Sequence, residues 1–322
     1  MRNFKRLLAA VILLLFFACN FGLSRLLYPY TYTRANFHTM KEGDYDGLIV
    51  GGSHAKCGID PEVLYTETGK RYLNAAQGGE HSLDILYLVK EAASRTDLKT
   101  VIYEIDPAYW VDKPNQSQEY VALYHEYPLS VRKVPYAFDK MLAADLRTSL
   151  FEWYLYRKEV FHIKARIAEK SSEEYKNFSL AAFTDEIQTY REDGFIARHR
   201  AEAGTDYETE PSLWNEKTYN PDEQKYFEEL VSFCRENDIE LVTVMMPVPD
   251  TSYEAYTDSY ESARDFFTAY LKSQNVRFLD YLHSHSEIVE MPGDLQDFCD
   301  NDGHLFEDSA VRFTGILAKE IS

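Results

Sequence analysis

Short apolar runs alternate along the chain with longer segments of helical periodicity. The short runs are compact, partly β-branched and closed by glycine, proline or charged residues, which predicts buried strands at 46–52, 71–76, 99–107, 239–249 and 276–282. Apolar residues at helical spacing predict helices at 60–69, 81–96, 222–237, 252–274 and 307–321. Because strands that alternate with helices form parallel sheets, the pattern predicts an α/β fold. We expect a doubly wound, flavodoxin-like parallel sheet with helices on both faces.

The first 28 residues depart from this alternation. Three cations precede a nearly unbroken apolar run over 7–23, which is long enough to cross a bilayer. The sequence therefore predicts a signal anchor, a transmembrane helix over 1–28 with its cationic end in the cytoplasm. A cleaved signal peptide would need a small-residue cleavage site, and none is obvious. A lipid-modified Cys19 is a third interpretation.

Residues 110–220 also interrupt the rhythm. They are rich in tyrosine and charge, with a helical pattern over about 135–170 and an irregular one over about 185–220. We therefore predict one α/β domain over 29–322 that carries an insertion at about 110–220. The insertion could form a lid or a substrate-facing wall, or it could only pack against the core.

Composition narrows the classes of function. The formal net charge is −19 and no basic stripe is present, which argues against nucleic acid as a partner. The four cysteines are too sparse for a disulfide framework, and no Cys or His pair has zinc-ligand spacing. No glycine-rich phosphate loop stands out either. The sequence thus indicates neither a metal nor a cofactor.

Several residues with reactive or hydrogen-bonding groups come directly after the predicted strands. Open α/β sheets bind their ligands at this edge, beyond the carboxyl ends of the strands. Ser53 follows the first strand in GGSHA (51–55), and Gly79 follows the second in NAAQGGE (74–80). His304 lies in DGHLFEDSAVRFT (302–314), before the last helix. A serine hydroxyl becomes a nucleophile when a histidine takes its proton, and a carboxylate orients that histidine. Asp302 or Asp300 could do so, while the amides of Ser53 and Gly79 could hold an oxyanion.

These blocks resemble those of the SGNH, or GDSL-like, hydrolases. The resemblance covers about 46–110 and 222–322 and is greatest to the membrane-anchored extracytoplasmic branch, which includes DltD-like teichoic-acid D-alanylation proteins and alginate O-acetylation proteins. It implies Ser53 as nucleophile, His304 as base and Gly79 as an oxyanion donor. His54 and Asn74 would be neighbours of that site. A lone Gly-x-Ser is weak evidence, so the interpretation depends on the combination of blocks.

Two departures from the family pattern matter. The third block, VIYEIDP (101–107), lacks the asparagine that usually donates to the oxyanion. Many members also have aspartate three residues before the histidine, where this chain has Asn301. Asp302 lies two residues before His304, as in the alginate-acetylation branch, and Asp300 lies four before. We prefer Asp302 and keep Asp300 as the alternative acid.

The resemblance implies a bacterial, extracytoplasmic serine esterase or O-acyltransferase, held in the cell membrane by a single N-terminal helix. Its substrate would be an acylated cell-envelope polysaccharide or teichoic acid, and a membrane-bound O-acyltransferase would be a partner. An alternative is a catalytically inactive SGNH-like binding or scaffold module in a polymer-modification complex. A third is an anchored glycan-binding module that uses the tyrosine-rich middle.

Overall fold

The structure is a computed structural model of the chain, and it describes residues 2–111, 118–143, 146–283 and 290–322. Parts of the predicted insertion, residues 112–117 and 144–145, lie outside the described residues. The strands are β1 Gly47–Val50, β2 Tyr72–Asn74, β3 Thr100–Glu104, β4 Gln188–Tyr190, β5 Ile196–Arg198, β6 Glu240–Met245 and β7 Arg277–Asp280. The helices are α1 Arg2–Leu27, α2 Tyr32–Glu42, α3 Ser53–Gly58, α4 Pro61–Thr68, α5 Ser82–Ala92, α6 Gln118–Glu126, α7 Lys133–Ala143, α8 Leu146–Leu150, α9 Ile163–Ser171, α10 Glu173–Lys176, α11 Pro221–Glu236, α12 Asp250–Ala255, α13 Thr257–Ser273 and α14 Glu307–Ile321.

Five strands form one parallel sheet in the order β2-β1-β3-β6-β7. This is the flavodoxin-like order, in which the chain reverses direction across the sheet between β1 and β3. The predicted α/β fold, and each of the five predicted strands, is confirmed. Ligands of such sheets bind beyond the carboxyl ends of the strands at this reversal, which is where β1 leads into Ser53.

The two faces of the sheet bury separate apolar clusters because strand side chains alternate between faces. Leu48 and Val50 face α5, α11 and α13, whereas Ile49 faces α3, α4 and α14. Helices therefore cover both faces, as the pattern predicts. The helix predicted over 252–274 is two helices, α12 and α13, with a break at Tyr256.

Among the described residues, the region between β3 and α11 holds five α-helices and an antiparallel pair, β4 and β5. The sequence analysis did not foresee this pair, since each strand has only three residues. A buried ion pair joins the region to the core: Lys140 of α7 lies 2.7 Å from a carboxylate oxygen of Asp84 on α5, and both are fully buried. The loop after β5 contacts the segment that carries His304.

Helix α1 is long and apolar enough to cross a bilayer, by length and composition. Its apolar side chains are exposed over most of its length. Its C-terminal end leads into a small apolar cluster, in which Leu27 and Tyr28 meet Tyr156.

Candidate active site

The turn after β1 places Ser53 at the first position of α3. Gly51 has a φ of +136°, and a Cβ there would lie 2.6 Å from a carboxylate oxygen of Glu104. Only glycine fits this conformation and this space. The Gly52 N–H donates to the same carboxylate at 2.6 Å. Glu104, at the end of β3, therefore fixes the turn that presents Ser53, and the sequence analysis did not identify this role.

Ser53 and His304 lie 251 residues apart in sequence, and the fold brings them into contact. The Ser53 Oγ lies 2.6 Å from Nε2 of His304. The other ring nitrogen, Nδ1, lies 2.7 Å from Oδ2 of Asp300. A hydroxyl, an imidazole and a carboxylate are thus hydrogen-bonded in series, which is the arrangement of a catalytic triad.

Asp300, and not the preferred Asp302, contacts His304. The chain from 300 to 304 wraps around the Asp300 carboxylate, whose Oδ1 accepts the N–H groups of Asp302, Gly303 and His304 at 3.0–3.1 Å. This turn directs Asp302 away from His304 Nδ1, and its Oδ1 accepts the Ser212 N–H at 2.7 Å instead. The preference for Asp302 is therefore corrected, because the loop conformation decides which carboxylate faces the ring.

The environment of Asp300 favours its ionised form. Burial alone would raise the pKa of this carboxyl, but the hydrogen bond and charge of His304, together with the His304 N–H, hold it well below its ordinary value. The loop after β5 supports the same segment, because Asn301 donates to the Tyr207 carbonyl at 2.7 Å. Asp300 is therefore held as a carboxylate in a fixed position beside the imidazole.

His54 lies beside this series in an acidic cluster. Its Nδ1 is 3.8 Å from Glu104 and 3.6 Å from Asp106, its Nε2 is 4.0 Å from Asp302, and its ring centroid is 4.5 Å from that of His304. Burial alone would lower the pKa of His54, but the nearby carboxylates of Glu104, Asp106 and Asp302 raise it to about 10. Burial raises the pKa of Asp106 to about 7, against the charge of His54. This environment favours the charged form of His54, which offsets the charge of the carboxylates around it.

Two groups of these side chains have ligand atoms close enough to hold a metal ion: His54, Asp302 and His304, and His54, Glu104 and Asp106. His304 uses both ring nitrogens, on Ser53 and Asp300. A metal ion at either group would have to displace the proton of His54, since a ligating imidazole is neutral.

Gly79, which the sequence predicts as an oxyanion donor, contacts Tyr109. The Gly79 N–H donates to the hydroxyl of Tyr109 at 2.9 Å. The Tyr109 ring also borders the nucleophile turn, since a Cβ on Gly52 would lie 2.9 Å from the ring. On the other side, a Cβ on Gly78 would lie 3.8 Å from Cβ of Ser53. Tyr109 lies shortly after β3. Its place at this site was not predicted from the sequence, although a tyrosine beyond the carboxyl end of a central strand was a signal.

Asn74 has a structural place near this site. Its side-chain amide donates to the carbonyls of Ala55 and Ile59 at 2.8 and 2.9 Å, and its oxygen accepts the Ala76 N–H at 3.2 Å. Asn74 is fully buried. These hydrogen bonds connect α3 to the end of β2 and so help to position Ser53, the first residue of α3.

No protein-family model matches the chain. No curated protein matches it either. Among solved structures, a catalytic mutant of Axe2, an acetylxylan esterase from Geobacillus stearothermophilus, aligns over 86% of this chain and 94% of its own, with 10% identity and a TM-score of 0.39. A likeness of this degree carries no argument. The case for a function depends on the geometry at Ser53.

Proposed function

We propose that the chain is a serine esterase or O-acyltransferase of the SGNH type. The observation that carries this proposal is the hydrogen-bonded series Ser53, His304 and Asp300, with distances of 2.6 and 2.7 Å. Ser53 attacks the carbonyl carbon of an acyl ester while its proton passes to Nε2 of His304. Asp300 holds the imidazole with its proton on Nδ1 and stabilises the imidazolium.

The tetrahedral intermediate places a negative charge on the former carbonyl oxygen. The Ser53 N–H, at the first position of α3, has no acceptor within the helix and can donate to this oxygen. The Gly79 N–H is the second donor, once the oxygen takes the place of the Tyr109 hydroxyl as its acceptor. The hydroxyl of Tyr109 retains its own proton and supplies a third donor in place of the asparagine.

The intermediate collapses when His304 returns the proton to the leaving alcohol. An acyl ester of Ser53 remains, and water or a second alcohol then attacks it, with His304 again as base. Attack by water makes the protein an esterase, and attack by a sugar hydroxyl makes it an acyltransferase. We propose acyl esters of an envelope polysaccharide or teichoic acid as substrates. The charge pattern of α1 supports a domain on the outer face of a membrane, next to such polymers.

The second candidate is a binding or scaffold module without turnover. The observation that favours it is the hydrogen bond between Gly79 and Tyr109, because it occupies a candidate oxyanion amide. In this case the site would bind an acylated polymer or a membrane-bound acyltransferase without cleaving an ester.

A fluorophosphonate probe distinguishes the two. The full-length protein in detergent should be labelled, and Ser53→Ala and His304→Ala should abolish labelling. Ser212→Ala is a matched control. The backbone N–H of this exposed serine donates to Asp302, but its hydroxyl takes no part in the site, so the substitution should leave labelling unchanged. Hydrolysis of p-nitrophenyl acetate, with and without an added sugar acceptor, then measures esterase against transferase activity. A folded wild-type protein that neither reacts with the probe nor cleaves the ester would refute the enzyme proposal and favour the scaffold.

A further inference from the structure

The segment 129–170 exposes many large apolar side chains. Ten are between 47% and 91% exposed: Leu129, Val131, Val134, Phe138, Leu142, Leu146, Leu150, Val160, Phe161 and Ile167. Apart from α1, only three other large apolar side chains are exposed among the described residues: Tyr65, Tyr207 and Val311. Such a concentration of exposed apolar side chains marks an interaction surface.

The same segment is basic in an acidic protein. It contains nine lysines and arginines against five aspartates and glutamates, whereas the whole chain has a net charge of −19. Two of these cations are paired with the core, since Lys140 is buried against Asp84 and Arg132 contacts the buried Glu91. Arg157, Lys158 and Lys164 are exposed beside Phe161. Basic side chains around an apolar surface are typical of segments that lie in the interface of an anionic bilayer.

Contacts with α1 place this segment at membrane depth. The rings of Phe16 and Phe151 lie 5.9 Å apart, edge to face. Phe16 is eleven residues before the end of α1, which is about 16 Å along a helix axis. A bilayer's hydrocarbon core is about 30 Å thick. If the end of α1 lies at the outer surface, Phe151 lies well below that surface.

The same contact gives hydrogen-bond partners to Asn20, the polar residue within the apolar helix α1. Its side-chain oxygen accepts the Trp153 indole N–H at 2.8 Å, and its amide donates to the Leu150 carbonyl at 3.4 Å. An amide in hydrocarbon needs a partner, because no water is present there. The interruption of the apolar run at Asn20 is therefore explained by the docking of residues 150–153 against α1.

We propose that residues 129–143 and 146–170 form a second membrane contact, inserted from outside into a leaflet that contains anionic lipids. Helices α7 and α8 would lie among the lipids beside α1 and would hold the α/β domain at a fixed height. The inference rests on the membrane location proposed for α1 but concerns different residues. The bilayer is favoured over a protein partner because the apolar surface is continuous with α1 and because the same segment exposes Arg157, Lys158 and Lys164.

Fluorescent labels on cysteine report the environment of single positions. Cys19 is exposed, whereas Cys57, Cys234 and Cys299 are buried, and burial raises the pKa of these three thiols to about 11, 12 and 12. In wild type the dye NBD therefore labels Cys19 and reports on α1. In a Cys19→Ala background, separate variants carry the label at one introduced cysteine each.

The test positions are Leu142→Cys and Phe161→Cys, and the control is Val311→Cys on α14. The full-length protein is placed in nanodiscs of phosphatidylcholine and phosphatidylglycerol, with one protein in each disc. We expect blue-shifted emission at both test positions and clear quenching by spin-labelled lipids, as for a label in the apolar interface. The control should emit as in water and should not be quenched.

Three results would each overturn the inference or one part of it, separately from the other proposals. Quenching at Cys19 with water-like emission at both test positions would refute the second contact and leave the anchor intact. A blue shift only when a disc holds two proteins would assign the surface to a second copy of the chain. Equal quenching in discs of phosphatidylcholine alone would refute the role of anionic lipid. None of these results depends on catalysis at Ser53, so the proposed function is tested independently.

Discussion

Replacing Asp300 by asparagine tests the proposed triad most directly. The side-chain amide would face Nδ1 of His304, which now lies 2.7 Å from a carboxylate oxygen. Because an NH₂ group donates, Nδ1 would have to accept, and the ring proton would move to Nε2. Nε2 could then no longer take the proton of Ser53, which lies 2.6 Å away.

The size of this effect follows from the loss of the base. The equivalent change in a serine protease lowers kcat by roughly 10⁴-fold, or about 5.4 kcal/mol of transition-state stabilisation. We expect a similar loss for Asp300→Asn. The new side-chain oxygen can still accept the N–H groups of residues 302–304, so the loop should remain folded at a cost of about 1–2 kcal/mol.

Asp302→Asn is the matched control, because it changes the same chemical group two residues away. Its carboxylate accepts the Ser212 N–H, and an asparagine oxygen can do the same, so kcat should change less than about tenfold. The assay is p-nitrophenyl acetate hydrolysis well below the melting temperature, with thermal melts of each variant. If Asp300→Asn kept more than about a tenth of wild-type kcat while Asp302→Asn lost activity, the assignment of Asp300 would be refuted.

Three further predictions concern single side chains. Tyr109→Phe should lower kcat by roughly 10²-fold with KM unchanged, whereas an unchanged or raised kcat would show that the hydroxyl only occupies the Gly79 amide. The folded pKa of His54 is raised to about 10, above an unfolded value of about 6.5, so its contribution to stability is complete below about pH 6.5 and is lost as pH rises toward 10. The melting temperature of His54→Gln should therefore fall less than that of wild type between pH 6 and 10. Equal dependence of the two melting temperatures on pH would refute the charged cluster. Lys140→Met should cost about 3–5 kcal/mol in urea unfolding because it leaves Asp84 buried without its cation, and a cost below about 1 kcal/mol would contradict this.

The sequence by itself determined the framework of this protein. The positions of its central strands could be predicted because each is a short apolar run bounded by turn residues, which is a local pattern. Ser53 and His304 were identifiable because they follow the first strand and precede the last helix. Parallel strands bring their carboxyl ends to one edge, so two distant positions in sequence could be expected near each other. The predicted anchor rests on the same kind of local evidence.

Tertiary structure decided which partners these residues meet. Asp300 and Asp302 differ by two positions, and only the conformation of the loop directs one carboxylate to His304 and the other to Ser212. The hydrogen bond from Gly79 to Tyr109 joins residues 30 apart. Local patterns specify the period of a helix or strand, but a hydrogen bond depends on distances of a few tenths of an ångström. Such distances are set by the packing of the whole domain, which no short stretch of sequence contains.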